Sequence, residues 1–247
     1  MWKPFAGKKA TKVINNTIEI AEFVFRQIPE VATLLQRIAK VASVLHSQGW
    51  AEANAGNLSI RIGNLIKPYL QTAGWDYSAE EYYLVSRSGS RYRDITEYPE
   101  TGLLLVKVSN GEEYFPADAI PTSEWGCHKL IHTNDLNCAF PCLLHSHPTE
   151  VIALSQTPIY ADETKLNKHL AFLLPELPLY LPKGIAITQY AKPGSRELAE
   201  LSCKKFTDKQ ALIWQGHGLL CRAKSIDEAL DLMEIVNKGA KLHFLLT

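Results

Sequence analysis

The stretch LLHSHPTE, residues 143–150, decides how this sequence is read. In an extended chain the side chains at i and i+2 point to one face, so His145 and His147 stand side by side with their imidazoles converging. That is a metal-ligand spacing. It lies on CLLHSH (142–147), which has the character of a strand, and a short helix follows from Thr149 to Ser155.

Working outward, Val31, Leu34, Leu35, Ile38, Val41, Ala42 and Leu45 recur at helical spacing, with Gly49 where a left-handed cap is wanted. LSIRI (58–62) alternates like a half-buried strand behind the turn residues NAGN (54–57). YYLVS (82–86) is a second strand, SRSGSRYRD (86–94) a loop, and LLLVKVS (103–109) a third strand ended by the Asn110-Gly111 turn. TSEWGCHKLIH (122–132) predicts a helix capped by Thr122 or Ser123. GIAIT (184–188) and ALIWQ (211–215) predict strands separated by a helix, SRELAELSCKKF, whose entry Pro193-Gly194 marks. Ser225 and Glu228 form a capping box ahead of a terminal helix with Ile226, Ala229, Leu230, Met233, Val236 and Ala240 on one face. Residues 1–30 predict a helical extension around NNTIEIAEFVFRQ, ended by Pro29. Residues 31–247, without repeat, linker or low-complexity tract, predict one αβα domain.

Lysine plus arginine equals aspartate plus glutamate at 26 each, so no overall field draws the molecule to nucleic acid or an anionic membrane; any anion must be recognised locally. The 46% hydrophobic content is ordinary for a globular chain of 247 residues, and no apolar run approaches the ~20 residues that cross a bilayer. Neither a signal peptide nor a CxxC pair is present, and five cysteines are read as reduced thiols of a soluble, cytoplasmic protein.

Two histidines give a metal half of what it needs, since a catalytic zinc takes three protein ligands and keeps one position open. His46, His128, His132, His169, His217 and His243 are the candidates for the third; His217 stands out because Gly216 and Gly218 leave room for close approach. Three neutral imidazoles leave the ion's charge free to polarise a substrate oxygen. A lone HxH is more often two half-exposed strand residues than a site, so the case depends on context. PTSE (121–124) adds hydroxyls and free N–H groups at a helix start, suited to an anion, with the Glu124 carboxylate alongside. Asn54, Asn57, Ser88 and Gly89 are neutral donors in turns that suit phosphate; Arg87, Arg91 and Arg93 stand nearby to add charge.

Taken in order, NAGNLSIR, SRSGS, PTSEWGCH, LLHSHPTEVIAL, WQGHGLL and a capped terminal helix resemble the class II aldolase and adducin family over about residues 35–243. Within it the nearest pattern is that of the sugar-1-phosphate aldolases. The resemblance implies an α/β fold, a single αβα domain with a central, mainly antiparallel sheet flanked by helices. It also implies zinc on His145, His147 and His217, phosphate on Asn54, Asn57, Ser88, Gly89, Thr122 and Ser123, and Glu124 as catalytic acid/base. ELPLYLPKGIAI resembles the segment in which a second glutamate, Glu176 here, reaches a neighbouring subunit's site, which implies an oligomer, a homotetramer by resemblance. The implied reaction is cleavage of the C3–C4 bond of a ketose 1-phosphate to dihydroxyacetone phosphate and a short aldehyde.

An epimerase of the same fold is expected to carry aspartate in place of Glu124, and a non-enzymatic adducin-like module to lack the histidines. HSHPTE also lacks the aspartate and histidine of a hydrolase HxHxDH pattern. The family pattern continues beyond the position of Thr247, so the aldehyde preference is expected to differ.

Overall fold

The computed structural model describes residues 8–75, 80–135 and 138–246, with side chains from Ile18 onward. Its first half runs α1 (Lys8–Gln27), α2 (Pro29–Ser47), β1 (Asn57–Arg61), α3 (Gly63–Thr72), β2 (Glu80–Ser86), α4 (Tyr92–Glu97), α5 (Pro99–Gly102), β3 (Leu103–Ser109) and β4 (Glu112–Tyr114). Then follow α6 (Trp125–Asn134), β5 (Cys142–Ser146), α7 (Thr149–Leu154), α8 (Glu163–Leu173), α9 (Leu177–Tyr180), β6 (Ile185–Thr188), α10 (Arg196–Lys205), β7 (Ala211–Trp214), β8 (Gly218–Ala223) and α11 (Ile226–Leu246).

The strands form one sheet in the order β4-β3-β2-β1-β5-β8-β7-β6. Among the described residues only β6–β7 pairs parallel; every other pairing is antiparallel, as the family resemblance implies. Because strand side chains alternate, each central strand feeds two layers. Leu58, Ile60, Tyr82, Leu84, Leu144 and Cys221 join the larger core, with the buried stripes of α2 and α11. Leu143, Leu212 and Trp214 face the other way, into a smaller cluster with Cys127 and Ile131 of α6 and Leu198 of α10. The sheet is therefore the middle of three layers.

The α2 stripe is Val31, Leu35, Ile38, Val41, Ala42 and Leu45, as its periodicity predicts. Each large member contributes about 1.5–3 kcal/mol by leaving water. Pro29 ends one helix and starts the next: it occupies the first turn of α2, where no N–H is needed. Ile20, Val24 and Ile28, within the residues expected to be an extension, lie in the larger core.

Three expectations are corrected. The loop SRSGSRYRD turns helical in its second half as α4, because Tyr92 and Ile95, one turn apart, are buried while Arg91 and Arg93 face outward. Neither Thr122 nor Ser123 caps α6: Glu124 occupies the cap position without a side-chain cap bond, and the Thr122 hydroxyl instead accepts from Glu124 N at 3.4 Å. Ser225 Oγ accepts from Glu228 N at 3.2 Å, but Glu228 reaches Lys224 N at 2.9 Å rather than closing a reciprocal box. Helices α3 and α8 were not foreseen; α8 is capped by Asp162, whose carboxylate accepts from Thr164 N and Lys165 N at 3.0 Å. No described helix is long and apolar enough to cross a membrane.

Candidate active site

The site forms at the sheet's centre, where β1 and β5 pair and β8 closes beside them. Asn57 of β1 is the register partner of His145 of β5, which in turn faces Leu220 of β8. His147 follows the end of β5, its backbone N–H donating to Trp50 O at 2.8 Å. His217 sits in the tight turn joining β7 to β8, with its N–H on Trp214 O at 3.0 Å and its ring stacked on Trp214. Gly218 lets these segments close: a Cβ there would meet Ser146 O at 2.5 Å and His145 Cε1 at 2.9 Å.

The three imidazoles thus converge. One ligand nitrogen from each of His145, His147 and His217 lies within 4.8 Å of the others. Their tautomers follow from their partners. His145 Nδ1 lies 3.0 Å from Leu219 O, an acceptor, so it carries the proton and leaves Nε2 a bare lone pair. His147 Nδ1, 2.8 Å from the Glu52 carboxylate, is protonated for the same reason. The two Nε2 atoms then face each other at 3.2 Å, and Glu124 presents Oε2 at 3.6 Å from His145 Nε2 and Oε1 at 3.3 Å from His217 Nε2.

Burial holds His145 well below the usual imidazole pKa, with the neighbouring His147 and His217 adding to the effect, and pushes His217 down to about 4. The two contacts with Glu124 are therefore not ion pairs between charged partners. Lone pairs of neutral imidazoles and a carboxylate crowded together repel, unless a cation stands among them. The donor set accordingly fits a divalent metal ion of the borderline kind that three imidazoles bind.

Glu124 is buried, and desolvation raises its pKa against the opposing hydrogen bond from Asn57 and the attraction of His147. Asn57 Nδ2 donates to Glu124 Oε2 at 2.8 Å, fixing the carboxylate beside the histidines. Around them opens a cavity of about 180 Å³ lined by Asn54, Asn57, Ser88, Gly89, Thr122, Ser123, Glu124 and the three histidines. The segments 86–88 and 120–122 are zipped together by Thr122 N on Ser86 O at 2.8 Å and Ser88 N on Ile120 O at 2.7 Å. This brings both halves of the anion-binding pattern to one wall.

Of the residues that the family resemblance assigns to the site, Glu176 alone lies apart from this cavity, exposed at the start of α9. His128 and His132 are buried behind β1, each 2.8 Å from Ser59 Oγ, and His169 pairs with His243 at 2.9 Å between α8 and α11; neither pair joins the triad. A larger cavity of about 370 Å³, between α8 and the segment 177–184, holds none of the predicted site residues. The smaller one is where the carboxylate, the imidazoles and the neutral donors meet. Glu52, Trp214 and Tyr92, whose hydroxyl donates to His145 O at 3.2 Å, went unread in the sequence. No spacing rule marks a residue that acts by holding a ligand in place.

Three histidines and a buried carboxylate beside a wall of hydroxyl and amide donors, on an antiparallel-centred αβα sheet, are the arrangement of a metal-dependent lyase of the class II aldolase type. Residues 36–244 match the model of the Class II Aldolase and Adducin N-terminal domain, and the chain belongs to that family. It is 30% identical over 231 residues to the rhamnulose-1-phosphate aldolase of Listeria welshimeri, covering 86% of this chain and 83% of that one. The rhamnulose-1-phosphate aldolase of Bacteroides thetaiotaomicron is 27% identical over 233 residues, covering 87% and 86%. Among solved structures, a sugar-phosphate aldolase from Thermotoga maritima superimposes with a TM-score of 0.74 at 30% identity, over 88% of this chain and 96% of that one. An L-fuculose-1-phosphate aldolase from Thermus thermophilus shares the fold with a TM-score of 0.60 at 20% identity, over 86% and 94%. The chain is an enzyme, an aldehyde-lyase.

Proposed function

We propose that the protein cleaves L-rhamnulose 1-phosphate to dihydroxyacetone phosphate and L-lactaldehyde. The observation that carries this reading is the Glu124 carboxylate, hydrogen-bonded to Asn57 and in contact with His145 and His217 beside the hydroxyl-lined wall. The names of the curated relatives support the choice of sugar.

His145, His147 and His217 would hold zinc, which when bound supplies a Lewis acid that draws electron density from the substrate's oxygens. Asn54, Asn57, Ser88, Gly89, Thr122 and Ser123 hold the phosphate through neutral donors. As the C3–C4 bond breaks, the Glu124 carboxylate takes the proton of the C4 hydroxyl, whose oxygen becomes that of the aldehyde, and returns it to the electron pair left on C3. A carboxylate that trades protons near neutrality needs a raised pKa, and burial of Glu124 acts in that direction.

Glu176 serves from a neighbouring subunit of a cytoplasmic homotetramer. Exposed Leu179 and Tyr180, close to it in the chain, and exposed Phe172 on α8 supply apolar surface for such a contact. Residues 31–247 form the catalytic domain and residues 1–30 an extension to it, of which residues 1–7 lie outside the described residues.

The test is to incubate the purified protein separately with the 1-phosphates of rhamnulose and fuculose and with ribulose phosphate, with and without chelator, and to measure triose-phosphate release. Fastest, chelator-sensitive cleavage of the rhamnulose ester is expected. Preference for the fuculose ester would reassign the sugar, and no release from any of them would remove the aldolase reading.

A further inference from the structure

Among the described residues that line the catalytic cavity, Arg87 is the only lysine or arginine. Arg91, exposed, and Arg93, which lies 3.8 Å from Asp94, do not reach it. The Arg87 backbone is tied down, with its N–H on Gly102 O at 2.9 Å and a bridge to Pro121. Its side chain is not: Nε is buried and has no hydrogen-bond partner among the described residues, and no carboxylate pairs with the guanidinium. Taking part of a permanent cation out of water without a partner is costly, so a residue held this way is built for a charged partner that arrives later.

The sheet register says where that partner lies. Val85, Ser59 and Leu143 form one transverse row, since Ser59 pairs with both. Two residues further along, Arg87 bridges Pro121 on that edge of β2 while Asn57 pairs with His145, and alternation puts Arg87, Asn57 and His145 on the face that carries α6. Segment 120–122 therefore stands between Arg87 and β1, and Arg87, Asn57, Thr122 and His145 line one cavity. The cavity thus has a guanidinium in its wall together with the histidine cluster and neutral donors.

We propose that Arg87 is the specificity-determining residue that recognises the charge of a dianionic phosphomonoester and thereby sets which end of the substrate faces Glu124. Neutral hydroxyls and amides hydrogen-bond a phosphate and an uncharged hydroxyl alike, whereas a guanidinium fork favours the dianion. The assignment rests on the aldolase reading only for the identity of the substrate; the charge recognition itself needs no turnover.

Glycerol phosphate, a phosphomonoester without a carbonyl group, is the probe, and glycerol the uncharged control. Calorimetric titration of the protein as purified should show glycerol phosphate bound and glycerol not. Arg87→Gln should weaken binding about ten- to a hundredfold, the loss typical of one charge-assisted contact, while Arg87→Lys keeps part of it. In turnover, Arg87→Gln should raise KM for the ketose phosphate about tenfold or more and leave kcat within about threefold. Unchanged affinity in Arg87→Gln, or no binding by the wild type, overturns the proposal. If Arg87→Gln does not fold, phenylglyoxal labelling of the wild type decides: glycerol phosphate should protect Arg87, and equal labelling with and without it overturns the assignment. A wild type that binds glycerol phosphate through Arg87 yet releases no triose phosphate would remove the aldolase reading and leave this one standing.

Discussion

Asn57 and Glu124, 67 residues apart in the chain, are joined by one hydrogen bond of 2.8 Å from the Asn57 amide to Glu124 Oε2. Asn57 is itself the register partner of His145, so the same residue sets the carboxylate and borders the metal ligand. Glu124→Gln keeps the shape of that arrangement and removes the proton carrier. Its kcat should fall by about 10²- to 10⁴-fold, the usual contribution of a positioned acid/base, with metal content per chain unchanged. Full turnover in the variant would end the proton-carrier role.

Glu52 makes the second prediction. It holds His147 through Nδ1 at 2.8 Å and so keeps the Nε2 lone pair turned toward the other ligands. Partners of this kind are worth about 10- to 100-fold in metal affinity; with the Glu52 side chain 64% exposed, about tenfold is expected for Glu52→Gln. Competition against a chromophoric chelator measures it. Treating the wild type with chelator should abolish turnover, and adding back the divalent ion should restore it.

Much of this site was legible because the chemistry lies in short, locally patterned segments. HSH on a strand, a histidine between two glycines and PTSE each carry their meaning within a few residues, and the structure brings them to one cavity. What escaped was whatever depends on partners distant in the chain. Glu52 looks like any exposed acid until His147 folds against it, and Arg87 like any loop arginine until its place in the cavity wall is known. Helix α4 hid because its buried face is only Tyr92 and Ile95, too few positions to make a period. The N-terminus of α6 was misjudged because Thr122 and Ser123 are good caps by residue type, while Thr122 N is engaged by Ser86 O and holds this segment beside β2.

The third prediction concerns acid. His128 and His132 share Ser59 Oγ at 2.8 Å behind β1, fully enclosed. Burial pushes His128 down to about 3 and His132 well below its ordinary value, so both are neutral in the folded state. The unfolded chain takes up their protons below its pKa of about 6.5, and the folded chain does not. Their stabilising contribution is therefore whole above about pH 6.5. It is lost as pH falls toward the folded values, at about 1.4 kcal/mol per pH unit for each histidine. Urea unfolding between pH 7.5 and 5 should show this decline, and His128→Asn should reduce its slope by one proton. A slope that His128→Asn leaves unchanged would mean that His128 does not bind its proton differently in the two states.

Gly218 offers the sharpest test of how the metal ligands are held. Its backbone opens β8 directly after His217 and packs against His145 of β5 and His147 just beyond that strand. A methyl group there would stand 2.5 Å from Ser146 O, 2.9 Å from His145 Cε1 and 3.0 Å from His147 Cδ2. None of these is the loose end of a flexible side chain. Ser146 is fixed by its hydroxyl on Trp50 O at 2.6 Å, and His145 by its ring nitrogen on Leu219 O. Gly218→Ala must therefore move β8 and the His217 turn away from β5, at a cost of about 1–3 kcal/mol for overpacking. Widening the gap separates His217 from His145 and His147 while leaving every ligand and Glu124 in the sequence. The variant should fold with a lowered melting temperature and bind its divalent ion at least tenfold more weakly. Saturating metal should recover little turnover, because a shift of about 1 Å at the reacting groups is itself worth about 10²-fold. A Gly218→Ala protein with wild-type metal affinity and turnover would show that the three imidazoles do not depend on this close approach.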